Sequence, residues 1–149
     1  MKQFIGLMAL VLLLSCSASK KTTSPTKTNT AQVHTSLLDD QTFFLTEIST
    51  DKTYGSKTNP VQVGGAKNSS GPKNERRFLN ALAGPNGEAI SYYRDGSCCP
   101  VESENGLMGW AMLDNYRVTW EGSKDTVSIF INMYDAGVLK APVGFTIKK

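Results

Sequence analysis

The chain has 149 residues and a formal net charge of +3, enough for one domain of ordinary size and too short for two. Four of its 16 Lys and Arg (Lys2, Lys20, Lys21, Lys27) precede residue 35 while all 13 Asp and Glu follow it, so residues 35–149 carry 12 positive against 13 negative charges. That balance argues against reading the basic charge as a nucleic-acid footprint, which needs Lys and Arg clustered on the folded domain, and a single histidine, His34, lying in a polar stretch, excludes a histidine triad or a multi-histidine metal site in one chain.

The first element is an address. Lys2 supplies a minimal positive start, and the apolar run Phe4 to Leu14 suits the hydrophobic region of a signal peptide while falling short of the ~20 residues that a membrane-crossing helix requires. It ends in Leu13-Leu14-Ser15-Cys16, which resembles a bacterial lipobox: an aliphatic residue at −3, a small one at −1, and cysteine at the cut. The resemblance implies a signal peptide over residues 1–15, acylation of Cys16 with palmitate-type chains, and a permanent membrane anchor, since two or more chains hold a protein stably where one does not. Ser17 stands where an inner-membrane retention signal would place Asp, so the expected destination is the outer membrane, on its periplasmic face. Residues 16–36 then form a tether of Ser, Thr, Lys, Asn and Pro25, too poor in apolar side chains to offset its ordering entropy. Its three lysines could touch anionic headgroups, but a plain solvated linker is the favoured reading.

A single β-rich domain is expected over residues 37–149. Thr42 to Ile48 is a β-branched and aromatic run and reads as a strand, paired through a long loop with Val61-Gln62-Val63. Ala66 to Lys73 reads as an exposed loop. Asn74 is placed as the N-cap of a helix from Glu75 to Ala83, stopped by Gly84-Pro85, with Phe78, Leu79 and Leu82 on its packing face. Strands follow at Ala89–Arg94, at Met112–Glu121 with Met112, Tyr116, Val118 and Trp120 on one side, and at Thr126–Tyr134 with Val127, Ile129, Ile131 and Met133 on one side. The last two are joined by Gly122 to Asp125 as an antiparallel hairpin. A helical turn over Ala136–Lys140 and an edge strand over Val143–Ile147 complete the chain. The expected fold is α+β, a mainly antiparallel sheet with one short helix on it; a small β-sandwich or barrel is the alternative.

The chemistry-bearing candidates are few. Cys98-Cys99 are the only thiols left once Cys16 is acylated, and three readings are open: a vicinal disulfide, two reduced half-buried thiols, and a redox pair. Lys52, Tyr54, Arg76 and Arg77 are candidate anion-binding residues near a helix start, where free N–H groups favour negative charge. Glu102, Glu104, Asp114 and Glu121 are candidates for paired-carboxylate chemistry without a spacing signature, and Trp110, Tyr116, Trp120 and Tyr134 for a sugar-stacking face. No catalytic residue, metal site or cofactor is assigned.

Several segments carry a resemblance: Lys52-Thr53-Tyr54-Gly55, Asn59 to Gly65, Gly71 to Leu82, Gly96 to Pro100 and Ile131 to Asp135. Together they resemble a family of small uncharacterised lipoproteins of Bacteroidota-type bacteria, over nearly the whole domain from Asp51 to Phe145. Some relatives are labelled 2-dehydro-3-deoxyphosphooctonate aldolase, which implies condensation of a sugar phosphate with phosphoenolpyruvate in lipopolysaccharide synthesis. That enzyme resembles a (β/α)₈ barrel, which needs about 250 residues, so no catalytic residue is transferred. The expected function is that of a cell-envelope lipoprotein whose tethered domain has a binding or structural role, with an envelope protein or glycan as partner. An enzyme or binding protein for envelope sugars or sugar phosphates is the alternative.

Overall fold

The computed structural model describes residues 36–149. The expected signal peptide, Cys16 and almost all of the expected tether lie outside the described residues. The fold is α+β, as expected. Its centre is an open four-stranded sheet in the order β3-β7-β6-β5, formed by β3 (Val61–Gln62), β5 (Ile90–Leu107), β6 (Trp110–Trp120) and β7 (Val127–Asn132). One helix, α1 (Gly71–Asn80), lies against it, and two small ribbons flank it: β1 (Leu37–Asp39) with β2 (Thr42–Phe43), and β4 (Leu82–Ala83) with β8 (Thr146–Ile147).

The core gathers Phe78 and Leu79 of α1, Leu82, Val61 and Val63, Tyr116 and Val118 of β6, and Ile129 and Ile131 of β7, all nearly or wholly buried. The β6–β7 hairpin forms as its patterning predicts, with Val118 opposite Val127 and Asp114 opposite Ile131. Ile129 and Ile131 point into the core, while Phe130, on the other side, is buried beneath the 55–59 loop with Lys57 over its ring.

Several predicted elements are corrected. The run Thr42–Ile48 keeps only two strand residues, because ladder pairing reaches no further than Phe43 and resumes only at a single Ile48–Ala141 bridge, and its partner is β1 rather than residues 61–63. Val61-Gln62 instead pairs in parallel with Ile131-Asn132, where Val61 and Val63 reach the core and the Val63 N–H donates to the Asn132 carbonyl. The segment 66–73 is only partly loop. It holds a 3₁₀ turn at Ala66–Asn68, and α1 starts at Gly71, with Ser70 as N-cap and Pro72 in its first turn, where the missing N–H is harmless. Asn74, placed as the cap, is inside the helix, and its amide reaches back to the Val63 and Gly64 carbonyls. The helix stops at Asn80 because Leu82-Ala83 is claimed by Thr146-Ile147. Residues 136–140 are extended rather than helical. Their polar groups are already engaged: Ala136 bridges Val63, the Gly137 N–H donates to the Gln62 carbonyl, and Tyr54 bonds Val138 and Lys140.

The strand predicted at Ala89–Arg94 extends to Leu107. Its length follows from β6, against which it pairs from Ile90–Trp120 outward through bulges at Asp95 and Cys99. The predicted face of β6 also changes partway. Tyr116 and Val118 are buried as expected, but beyond Asp114 the buried residues are Leu113 and Ala111, and Met112 is exposed. Where β7 stops, at the level of Asp114, the β5–β6 pair continues alone.

Candidate functional site

Beneath α1 lies a polar network. Glu75 occupies the face of the helix that also carries Phe78 and Leu79, and it is completely buried. The Tyr116 hydroxyl donates to Glu75 Oε2 at 3.0 Å, while Oε1 has no hydrogen-bond partner of its own. Burial, and then the charge of nearby Asp114, push the Glu75 carboxyl up to about 7. Asp114 goes the other way. Burial alone would raise it, but the Arg94 guanidinium and the Ser97 hydroxyl hold it below the usual carboxylate range. Arg94 grips Asp114 in a two-pronged pair, Nε to Oδ2 at 2.7 Å and one terminal nitrogen to Oδ1 at 2.8 Å, and Ser97 donates to Oδ1 at 2.7 Å. Tyr116 is driven upward by burial and by Glu75. The two neighbouring carboxyls are therefore pushed in opposite directions, Glu75 toward its neutral form and Asp114 toward its ionised form.

A cleft of about 750 Å³ opens beside this network, between the 84–89 turn and the C-terminal strand β8. Leu82, Ile90, Ile147 and the Tyr92 ring give it an apolar floor, and Asn80, Asn86, Glu88, Lys148 and Lys149 supply polar groups at its walls. Tyr92 connects the two regions. Its hydroxyl donates to Asn80 Oδ1 at 2.7 Å and its ring meets Tyr116 edge-on at 6.0 Å. The turn is held by Glu88, which accepts from the Asn86 backbone and side chain, and by Thr146, which donates to the Gly84 carbonyl. A volume of this size and mixed lining is typical of small-ligand sites.

The sequence candidates are distributed differently from their expected grouping. Arg77 is engaged locally, donating to the Asp40 carbonyl and Asn74 Oδ1 and resting near the Phe43 ring. Tyr54 turns to Val138 and Lys140, and Lys52 sits exposed in the turn that Asp51 organises through Thr53 and Asn59. Arg76 is exposed on the helix and is not among the residues that line the cleft. Cys98 and Cys99 are joined in a disulfide with Cα atoms 3.7 Å apart, and Cys99, at φ +56°, is the extra residue of a β-bulge.

Asp114 pairs with Arg94 rather than with another predicted acid. Glu102 and Glu104 flank Trp110 at a shallow hollow of about 300 Å³, far in chain order from Glu121 in the hairpin turn. The four aromatic candidates form no common face, since Tyr116 is buried on Tyr92 and Glu75 and Trp120 packs on Phe145. The residues that sequence reasoning missed are Glu75, Asn80 and Tyr92. For Glu75 a signal was present, its spacing of three and four from Phe78 and Leu79 on one helix face. Comparison of the chain with protein-family models, curated proteins and solved structures finds no match.

Proposed function

We propose that this chain is a cell-envelope lipoprotein, held at the outer membrane by acyl chains on Cys16, whose tethered domain binds an envelope component rather than catalysing a reaction. The observation that carries the binding role is the cleft beside Tyr92. An aromatic ring and apolar floor with amide, hydroxyl and lysine groups around them suit a ligand with both ring faces and hydrogen-bonding or acidic groups, the chemistry of an envelope glycan or glycopeptide. The shifted carboxyl pair favours binding over catalysis. Glu75 and Asp114 are 0% and 4% exposed and lie under the helix, out of contact with any substrate in the cleft.

The experiment is a titration of the protein with solubilised peptidoglycan fragments and with lipopolysaccharide oligosaccharide, followed by amide chemical shifts. Binding at the cleft moves Asn80, Tyr92 and Thr146, and Asn80→Ala combined with Tyr92→Leu weakens it at least about tenfold, the scale of losing a hydrogen-bonded aromatic contact. Shifts confined to other faces, or none with either class, would contradict the assignment.

A further inference from the structure

The far end of the β5–β6 pair closes on Leu107-Met108-Gly109-Trp110. Leu107 and Met108 are 79% and 91% exposed, Trp110 is half exposed, and none of them belongs to the core. Such a turn is usually polar. Here it is apolar and also fixed. The Ser103 N–H donates to the Gly109 carbonyl at 2.9 Å, the Ser103 hydroxyl and the Asn105 amide both donate to Asp135 Oδ1 at 2.8 Å, and Asn132 donates to Asp135 Oδ2 at 2.7 Å. Gly106 lies so close to the Trp110 backbone that a side chain would overlap it. The fold therefore spends a partly buried polar network on holding two large apolar side chains out in solvent.

We infer that this turn seats in the interfacial layer of the bilayer that holds the acyl anchor, with Leu107 and Met108 entering the acyl boundary and Trp110 at headgroup depth; the inference rests on the lipoprotein reading above. Trp combines an apolar body with a donor N–H, which suits it to that depth. A backbone already fixed loses little freedom on insertion. The chain from Cys16 to the first described residue, Ser36, is 20 residues, a length that spans at most about 70 Å when fully extended, so an acylated Cys16 keeps the domain beside its bilayer and weak intrinsic affinity suffices. Glu102 and Glu104 flank the turn and oppose an anionic surface, which selects zwitterionic lipid such as phosphatidylethanolamine.

The test uses the full lipidated chain in phosphatidylethanolamine vesicles containing lipids brominated along the acyl chain. Trp110 and Trp120 are the only tryptophans, so Trp120→Phe isolates the turn and Trp110→Phe supplies the control. The Trp120→Phe protein should show blue-shifted, bromine-quenched emission. Leu107→Gln with Met108→Gln should shift the docking equilibrium by more than about tenfold toward undocked, since each buried aliphatic side chain contributes on that scale. Both substitutions are at exposed positions outside the core, and flotation with the vesicles verifies the anchor independently. A chain that floats with unquenched Trp110, or whose quenching survives the double substitution, or in which Trp120 is quenched equally, overturns the inference while leaving the anchor intact. A chain that fails to float overturns the anchor and this inference with it.

Discussion

Glu75 shows how one residue sets the pH behaviour of the domain. Its carboxyl is held near 7 in the folded state against an ordinary value of 4.5, so the folded protein keeps a proton that the unfolded chain releases. The sign follows: the contribution is fully present below about pH 4.5 and is lost as pH rises through about 7. Asp114 acts in the opposite sense, its contribution present above the unfolded carboxylate range and lost as pH falls through its depressed folded value. Denaturant midpoints of the wild type should therefore decline from pH 5 to pH 8, and Glu75→Gln should flatten that decline; an unchanged slope would remove Glu75 from the account. Asp114→Ala should cost about 1–3 kcal/mol by leaving Arg94 and Ser97 without their acceptor, and should lower the Glu75 titration midpoint seen by NMR. That Glu75 is buried could be read from the helix face it shares with Phe78 and Leu79. Its meeting with Asp114 and Tyr116 could not, because those partners are 39 and 41 residues away and the contact depends on how α1 lies across β6.

At the scale of elements, the β6–β7 hairpin was legible because its alternation has a single buried face and a short polar turn. The extension of β5 was not. Residues 95–107 lack alternation because bulges at Asp95 and Cys99 reset which side faces inward, and only pairing with β6 makes them a strand. The Cys98–Cys99 bond lies in the second bulge and encloses no intervening chain, so it removes little loop entropy from the unfolded state. Replacing both cysteines by serine should therefore leave the unfolding temperature within a few degrees while speeding amide exchange locally at 97–101 and 111–113; a loss of many degrees would mean that the bond supports the core. The start of α1 has a separate constraint. A Cβ at Gly71 would lie 2.7 Å from Met133 Sδ, so Gly71→Ala should destabilise by about 1–3 kcal/mol in thermal or denaturant unfolding. Pro72 in the next position was the overlooked sign that the helix begins there.

For the whole molecule, charge and composition carried the organisation further than the chemistry. The positive excess sits before residue 35, and residues 35–149 are close to neutral. The cleft beside Tyr92 was invisible in the sequence because its walls come from two distant parts of the chain, within 80–92 and 146–149, which meet only when β4 pairs with β8. A cleft on one flank and an apolar turn at the end of the sheet suit a domain that works close to a membrane. The anchor is the premise on which these parts depend, and labelled palmitate incorporation in growing cells tests it most directly. Wild-type protein should carry label and fractionate with the outer membrane, whereas Cys16→Ala should carry none and leave the membrane fraction. Equal retention of the two proteins, without label in either, would contradict the account.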